Sequence, residues 1–417
     1  MRILVIGSGG REHTIAWKLL KDNPGSTVVA APGNGGTATL GSNLTLHDTQ
    51  IRELASWASK NADLTVVGPE APLTAGIVDL FEQSGLKVFG PGQSGARLES
   101  SKVFSKEFMR RHAIPTAAFS VFDDFEKAVA WIEKRDVPCV VKYDGLAAGK
   151  GVKVAATRKE AVSFLDEIYH RRIFGHDSDR VVIEDCLCGH EMSYLIITDG
   201  TSYVPLEPAQ DYKRALDGDG GENTGGMGTY CPSRFITPAL RTIIHATIVE
   251  PTLAGLRKDG IPYRGVLYCG LMLTDTGPSL LEYNVRFGDP ETQTILPRLE
   301  TNLLEIIAAT IEGRLESVHP SWSSDVTVCV VLASGGYPAH YEKGKEITGF
   351  AAVRNALVFH AGTTSVNGRL LTNGGRVLGV VGKAGDFKAA RKNAYAAAET
   401  ISFEGKSYRK DIALFDG

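Results

Sequence analysis

The sequence predicts a multidomain α/β and α+β protein: an N-terminal doubly wound parallel-sheet domain, a core of two α+β subdomains, and a small C-terminal α+β domain. Three observations carry this prediction. Over roughly the first 90 residues, short β-branched runs alternate with amphipathic stretches, and each run ends in a Gly-rich or Pro-rich loop. That alternation is the mark of parallel strands joined by helices. From residue 101 the pattern changes to paired strands flanked by single helices, and from 326 to short strands, many Gly turns and one helix. The expected boundaries are 1–101, 102–325 with a flap subdomain over about 119–190, and 326–417.

The elements follow in order. "RILVIG" is a strand ending in Gly7-Ser8-Gly9-Gly10, and an amphipathic stretch over 12–20 follows it. Then come the strand "STVVAAPGN", a helix near 51–60, the strand "ADLTVVGPE", a helix over 76–84 and "KVFGP". Sheets of this kind bind ligands beyond the carboxyl ends of their strands. "SKVFSKEFMRRHAIP" reads as a helix stopped by Pro115. "VPCVVKYD" and "GVKVAAT" read as a strand pair joined by "DGLAAGKG", and a helix over 159–169 with the strand "RVVIEDCL" completes that unit. Next are the strand "EMSYLIITDG", a polar Gly-rich loop over 211–228 too charged for helix or strand, and a long helix over 238–258. The strands "GVLYCGLMLT" and "SLLEYNVRF" precede a helix near 302–311. The tail opens with "DVTVCVVLAS" and has its one helix over 387–400.

Bulk properties exclude several classes. A formal net charge of −3 leaves no polyanion footprint, so nucleic acid is not an expected partner. No apolar run is long enough to span a bilayer, and "MRILVIGSGG" runs straight into a strand, so neither a membrane span nor a signal peptide is expected. The six cysteines are scattered without zinc spacing, and free buried thiols in a reducing cytoplasm are the expectation.

Four stretches carry chemistry. Gly7-Ser8-Gly9-Gly10-Arg11-Glu12 could hold a phosphate on backbone N–H groups or could be a plain tight turn. Glu12 stands where a dinucleotide fingerprint needs its third Gly, and no acid ends the second strand, so a nicotinamide cofactor is rejected. In "VVKYDGLAAGKGV", Lys142 lies inside an apolar strand, where an unpaired ammonium is costly unless a phosphate or another anion meets it. Gly145, Gly149 and Gly151 with Ala147 and Ala148 make a small-residue flap whose amides could approach a phosphate; a hairpin with an exposed lysine is the other reading. The stretch "DYKRALDGDGGENTGGMG" could equally be a solvated loop. In "LLEYNVRFGDPETQ", strand alternation points Glu282, Asn284 and Arg286 one way and the apolar residues the other. Such a face offers oxygens for a hard cation and a guanidinium for a carboxylate or phosphate, or charges that pair with one another inside the fold.

Taken together, these residues resemble the glycinamide ribonucleotide synthetase family of ATP-grasp ligases. The matching stretches are "VIGSGGREHTIAWKL", "APGNGGT", "VGPEAPLTAGIVD", "SKVFSKEFMRRHAIPTA", "VVKYDGLAAGKGV" and "DYKRALDGDGGENTGGMG". They continue with "LEYNVRFGDPETQ", "FHAGT", "TNGGRVLGVV" and "YRKDI", in family order from end to end. Tyr143, His190, Ala209 and Glu222 depart from the family's usual Ala, Glu, Ser and Pro, and none of the four removes a charged residue assigned below.

The resemblance implies a cytoplasmic ligase, a monomer or weak homodimer, that joins glycine to 5-phosphoribosylamine with ATP. It would give glycinamide ribonucleotide, ADP and phosphate through a glycyl phosphate, with Mg²⁺ or Mn²⁺. The core would be an ATP-grasp fold whose two subdomains clasp the nucleotide. By similarity Lys102 and Lys142 would touch the ATP phosphates, and the loop with Gly145, Gly149, Lys150 and Gly151 would close over them. Glu184 and Leu187 match the adenine hinge, Glu191 the ribose ligand, and Glu282 and Asn284 the metal positions. Arg286, Asp211 and Lys213 would be catalytic. Gly9, Gly10, Arg11, Glu12, Arg214, Asn223, Gly225, Asp289, Glu291 and Thr292 would hold substrate. The rival enzyme is another ATP-grasp ligase that carboxylates a purine intermediate or biotin. The rival of another class is a nucleotide-binding regulatory protein without turnover.

Overall fold

In the computed structural model, which describes the chain except residues 148–149, 176–177 and 416–417, the first strand, Arg2–Gly7, lies at the centre of a five-stranded sheet. Its order is Ser42–Asn43, Thr27–Pro32, Arg2–Gly7, Leu64–Val67, Val88–Phe89, and every neighbour is parallel. The chain builds outward on one side of Arg2–Gly7 and then on the other, which puts a topological switch point at the carboxyl end of that strand. Alternation explains its apolar run. Leu4 and Ile6 enter one core, Ile3 and Val5 the other, because helices cover both faces.

The central part has two antiparallel four-stranded sheets. One runs Phe119–Phe122, Val181–Asp185, Cys139–Tyr143, Val152–Ala155. The helices Phe125–Glu133 and Arg158–Tyr169 pack on one face of it, against Val141, Tyr143 and Ile183. The alternate residues Lys142 and Glu184 therefore face the other way. The second sheet runs Tyr203–Pro205, His190–Thr198, Gly265–Thr274, Gly277–Asn284. The expected long helix is continuous but contains a π turn, His245–Val249, between Pro238–Ile244 and Glu250–Lys258. Pro251 has no N–H to give Thr247, so the regular ladder cannot run through that point.

The tail does not stand alone. Its strand Val326–Ala333 pairs with Gly228–Cys231, and the sheet runs Gln210–Asp211, Gly228–Cys231, Val326–Ala333, Arg376–Ala384, Ala356–His360. The helix Phe387–Thr400 covers it. Among the described residues no helix is long and apolar enough to cross a membrane.

Three expectations need correction. The stretch 211–228 is not all loop. Arg214–Leu216 and Gly220–Asn223 pair as a hairpin around a turn in which Gly218 and Asp219 have positive φ. A hairpin needs only backbone pairing, so its charges can stay in solvent. The turn is pinned from outside by the buried Arg409, which donates to Arg214 O at 3.1 Å and to Asp219 at 2.9 Å. The helix Lys102–Arg111 ends before Pro115, because the chain turns left-handed at Ala113, φ 52°. Four cysteines are buried, but Cys186 is only half-buried and Cys188 is exposed.

Candidate active site

A cleft of about 430 Å³ opens at the switch point. It is walled by the Gly loop, the flap loop, the strand Gly277–Asn284 and Arg376 from the tail sheet. Glu282 and Asn284 face into it, while Tyr283 between them is buried and hydrogen-bonded to Thr252 at 2.5 Å. The expected face is therefore present, except that Arg286 lies two residues past the strand end. A bulge opposite Gly270 and Leu271 breaks the alternation N-terminal to Glu282 and leaves Leu281 half-buried.

The carboxylate of Glu282 has no hydrogen-bond partner among the described residues. Burial opposes its ionisation, but Lys213, Lys142, Lys102 and Arg286 outweigh burial and hold it below the usual carboxylate range. Beside it Asn284 Oδ1 accepts from Arg286 Nη2 at 3.0 Å. No group of three or more His, Cys, Asp or Glu among the described residues could hold a metal ion. A pair of oxygens beside a phosphate-sized cleft suits a hard cation that completes its shell with substrate oxygens. This donor set fits Mg²⁺ or Mn²⁺ and not a self-sufficient protein cage.

Arg286 is fixed by two carboxylates: Nη2 lies 2.9 Å from Glu99 and Nε 3.3 Å from Glu70. Burial disfavours the guanidinium, yet Glu99 and Glu70 hold its pKa above the ordinary arginine value. Lys142 donates to Leu281 O at 3.1 Å and pairs with Glu184, while Lys102 donates to Gly145 O at 3.3 Å. Gly145 and Gly151 flank the Tyr143 ring, and Gly151 lines the cleft. Gly149 lies outside the described residues.

On the opposite wall Lys213 Nζ is 2.6 Å from Glu191 Oε2. Burial pushes the Asp211 carboxyl up to about 7; Lys213 opposes this and Glu291 and Glu191 add to it. Glu291 accepts from Tyr268 Oη at 2.7 Å and Ser193 Oγ at 3.0 Å. Asp289 accepts from Arg11 N at 3.0 Å and Gln293 Nε2 at 2.9 Å. Arg376 donates to Asp289 O at 2.7 Å and to Gly225 O. Ser8, Gly9 and Gly225 line the same space. A Cβ on Gly226, φ 110°, would come within 2.5 Å of Pro290, which ties the two Gly-rich loops together sterically.

Several expected residues are placed differently. Glu184 does not reach the cleft; its side chain is buried between Lys142 and Lys106. Leu187, half-buried three residues on, does not line the cleft. Glu12 does line it, but its carboxylate is spent on Gly9 N and Arg11 Nε, each at 2.5 Å. Gly10 is buried at the start of the helix Gly10–Asp22, where a Cβ would displace the end of the Gln293 side chain. Thr292 is buried and donates to Gly288 O. Lys150, Arg214 and Asn223 line a separate cleft of about 540 Å³ between the flap and the hairpin.

Glu70, Glu99, Lys106, Tyr268 and Arg376 were not expected. Only Lys106 had a legible signal: it follows Lys102 by one helical turn, on the same face. Of the unusual residues, His190 stacks on Phe235 with ring centroids 4.1 Å apart, and Tyr143 meets Phe174 at a tilt with centroids 4.9 Å apart. Ala209 is buried in a bridge to Ser193, and Glu222 is exposed on the hairpin.

Three family models match the chain: phosphoribosylglycinamide synthetase N domain over residues 1–99, its ATP-grasp (A) domain over 100–292, and its C domain over 327–414. The chain is 45% identical over 414 residues to phosphoribosylamine–glycine ligase of Caldanaerobacter subterraneus subsp. tengcongensis, covering 99% of both chains. It is 48% identical over 420 residues to the human trifunctional purine biosynthetic protein adenosine-3, covering 99% of this chain and 42% of that one. Among solved structures, phosphoribosylamine–glycine ligase from Thermotoga maritima matches with a TM-score of 0.87 and 38% identity, over 99% of this chain and all of that one. The biotin carboxylase domain of Hydrogenobacter thermophilus 2-oxoglutarate carboxylase shares the fold, at a TM-score of 0.74 and 16% identity.

Proposed function

Because the chain belongs to the phosphoribosylglycinamide synthetase family, we propose that the cleft around Glu282 and Asn284 is where it joins glycine to 5-phosphoribosylamine. The chain is a C–N bond-forming ligase of purine biosynthesis, and the carboxylase reading is not favoured. The observation that carries the site assignment is the Glu282 carboxylate, without a hydrogen-bond partner among the described residues, set beside Asn284 and surrounded by cationic side chains.

The chemistry follows from the electrophile. A glycine carboxylate resists attack by an amine at neutral pH. One carboxylate oxygen attacks the γ-phosphorus of ATP, the bond to the ADP oxygen breaks, and glycyl phosphate forms. The amine of phosphoribosylamine then attacks the carbonyl carbon. The C–O bond to phosphate breaks, and the amine gives up a proton. The protein positions these groups and stabilises charge.

Lys102 and Lys142 meet the phosphates, and the flap loop with Gly145, Gly149 and Gly151 shields the acyl phosphate from water. Lys150 belongs to the same loop and reaches the phosphates only if the flap moves inward. Glu282 and Asn284 would hold Mg²⁺ or Mn²⁺, which supplies charge neutralisation at the phosphate oxygens when bound. Arg286, held by Glu99 and Glu70, faces the transferring charge. With the Glu184 side chain sequestered, adenine meets the main chain of the hinge and Leu187. Glu191, paired with Lys213, meets the nucleotide ribose, and Asp211 and Lys213 stand where the amine and glycine would lie. Ser8, Gly9, Arg11, Asp289 and Gly225 frame the phosphoribosyl end.

The test is ADP release with ATP, phosphoribosylamine and each candidate acid in turn. Glycine should support release and bicarbonate should not. Release with bicarbonate and none with glycine would move the chain to the carboxylases.

A further inference from the structure

Two lysines share one carboxylate beneath the cleft. Lys142, on the strand Cys139–Tyr143, pairs with Glu184 Oε1, and Lys106, on the helix Lys102–Arg111, pairs with Glu184 Oε2. The three side chains are 5%, 2% and 2% exposed, so water screens none of them. Lys106 is held further by Thr116 Oγ1 at 2.6 Å, and Thr116 in turn donates to Leu280 O at 2.6 Å. Lys142 has one more partner, the Leu281 carbonyl at 3.1 Å, one residue from Glu282.

The charge count is uneven. Two ammonium groups pair with one carboxylate; among the described residues no other carboxylate forms an ion pair with either lysine, and Glu282 acts on both only through its nearby charge. Burial brings the Lys106 ammonium down to about 8, with Lys142 adding to the shift and Glu184 opposing it. A buried excess cation calls for an anion. Only Lys142 has a partner on the strand that carries Glu282, whereas Lys106 is tied back to Thr116.

We infer that Lys106 is a positioning residue: by serving as the standing counter-ion of Glu184, it leaves the Lys142 ammonium available to a nucleotide phosphate. The inference rests on the reading that Lys142 meets the phosphates. Without Lys106, Lys142 becomes the sole counter-ion of Glu184. Turning toward a phosphate would then strand a buried carboxylate, so the ammonium stays where it is. Removing Lys106 also takes the cluster from one net positive charge to zero. Removing the Glu184 charge as well restores one net positive charge, now carried by Lys142 alone.

The experiment compares Lys106→Met, Lys106→Arg, Lys142→Met and the double variant Lys106→Met with Glu184→Gln. For each, the KM for ATP and kcat are measured, together with the Kd for ATP and for AMP, with thermal melting as a control on folding. Lys106→Met should raise KM and Kd for ATP about tenfold or more, the worth of one charged hydrogen bond. It should leave the Kd for AMP nearly unchanged. Lys106→Arg should recover most of the loss, and the double variant should bind ATP more tightly than Lys106→Met alone. A merely structural role would weaken AMP and ATP alike and would be worsened by the second substitution. That outcome, or an unchanged Kd for ATP in Lys106→Met, would overturn the inference. If Lys106→Met does not fold, Lys106→Gln takes its place in the same comparison with Lys106→Arg. An unchanged Kd for ATP in Lys142→Met would instead overturn the phosphate reading on which the inference rests.

Discussion

Glu99 and Arg286 are joined across 187 residues of sequence by a hydrogen bond of 2.9 Å, and the second oxygen of Glu99 accepts the Val285 backbone N–H at 2.7 Å. One buried carboxylate thus fixes both the main chain and the guanidinium at the end of the strand that carries Glu282 and Asn284. Glu70 adds a second contact at 3.3 Å.

Glu99→Ala should therefore free Arg286 without removing it. Breaking a buried pair from one side costs roughly 3–5 kcal/mol, and the remaining contact with Glu70 keeps this case toward the low end. Steady-state kinetics should show kcat falling more than tenfold, with the KM for ATP less affected, and calorimetry should show a lower Tm. Unchanged kcat with a lowered Tm would make Glu99 a structural residue only.

Glu282→Ala and Asn284→Ala should abolish most turnover while the fold survives, because neither side chain anchors the strand. The check is turnover across a Mg²⁺ titration beside a thermal melt. A loss partly recovered at high Mg²⁺ fits ligands of a hard cation. Near-normal turnover at ordinary Mg²⁺ would remove both residues from the metal site.

Burial, with Glu291 and Glu191, pushes the Asp211 carboxyl up to about 7 against the pull of Lys213. An acid raised in the folded state stabilises the fold below its unfolded value of 3.8 and loses that contribution as pH rises through about 7. Asp211→Asn should thus be relatively more stable than wild type above pH 7. Since the ionised form is the one that can hold an amine, kcat/KM for glycine should climb with pH through about 7 in wild type and lose that limb in the variant. A profile that is the same in both would exclude Asp211 from the reacting groups.

His13 accepts the His360 backbone N–H at Nδ1, 2.8 Å, and so joins the N-terminal helix to the tail sheet. That acceptor requires a neutral ring. Burial, with His360 adding, lowers the His13 pKa to about 3, and burial lowers His360 to about 4. Both are depressed, so their contribution is present above pH 6.5 and is lost as pH falls toward 4 and below. The melting temperature should decline over that window, and less steeply in His13→Asn. Parallel curves would show that other groups set the acid limit.

Much of this was legible in sequence because it is local. Strand alternation placed Glu282 and Asn284 on one face, and the apolar setting of Lys142 announced a buried cation in need of an anion. What escaped depends on contacts between distant segments. Glu99 reads as an ordinary residue near the end of a helix until the strand with Val285 packs against it. The sequestered side chain of Glu184 follows from Lys106, on a helix that pairs with no strand. The hairpin over Arg214–Leu216 and Gly220–Asn223 was hidden by its charges, since its anchor, Arg409, lies in the tail. Arg214 and Asn223 fell to a second cleft for the same reason.

The most direct test of the ligase reading follows an oxygen atom. With glycine labelled with ¹⁸O in the carboxylate, plus ATP and phosphoribosylamine, activation through glycyl phosphate must carry one labelled oxygen into inorganic phosphate. Mass spectrometry of the released phosphate should find label in step with glycinamide ribonucleotide formed. Product formed with wholly unlabelled phosphate would contradict the mechanism, and no product from glycine at all would contradict the account of the cleft.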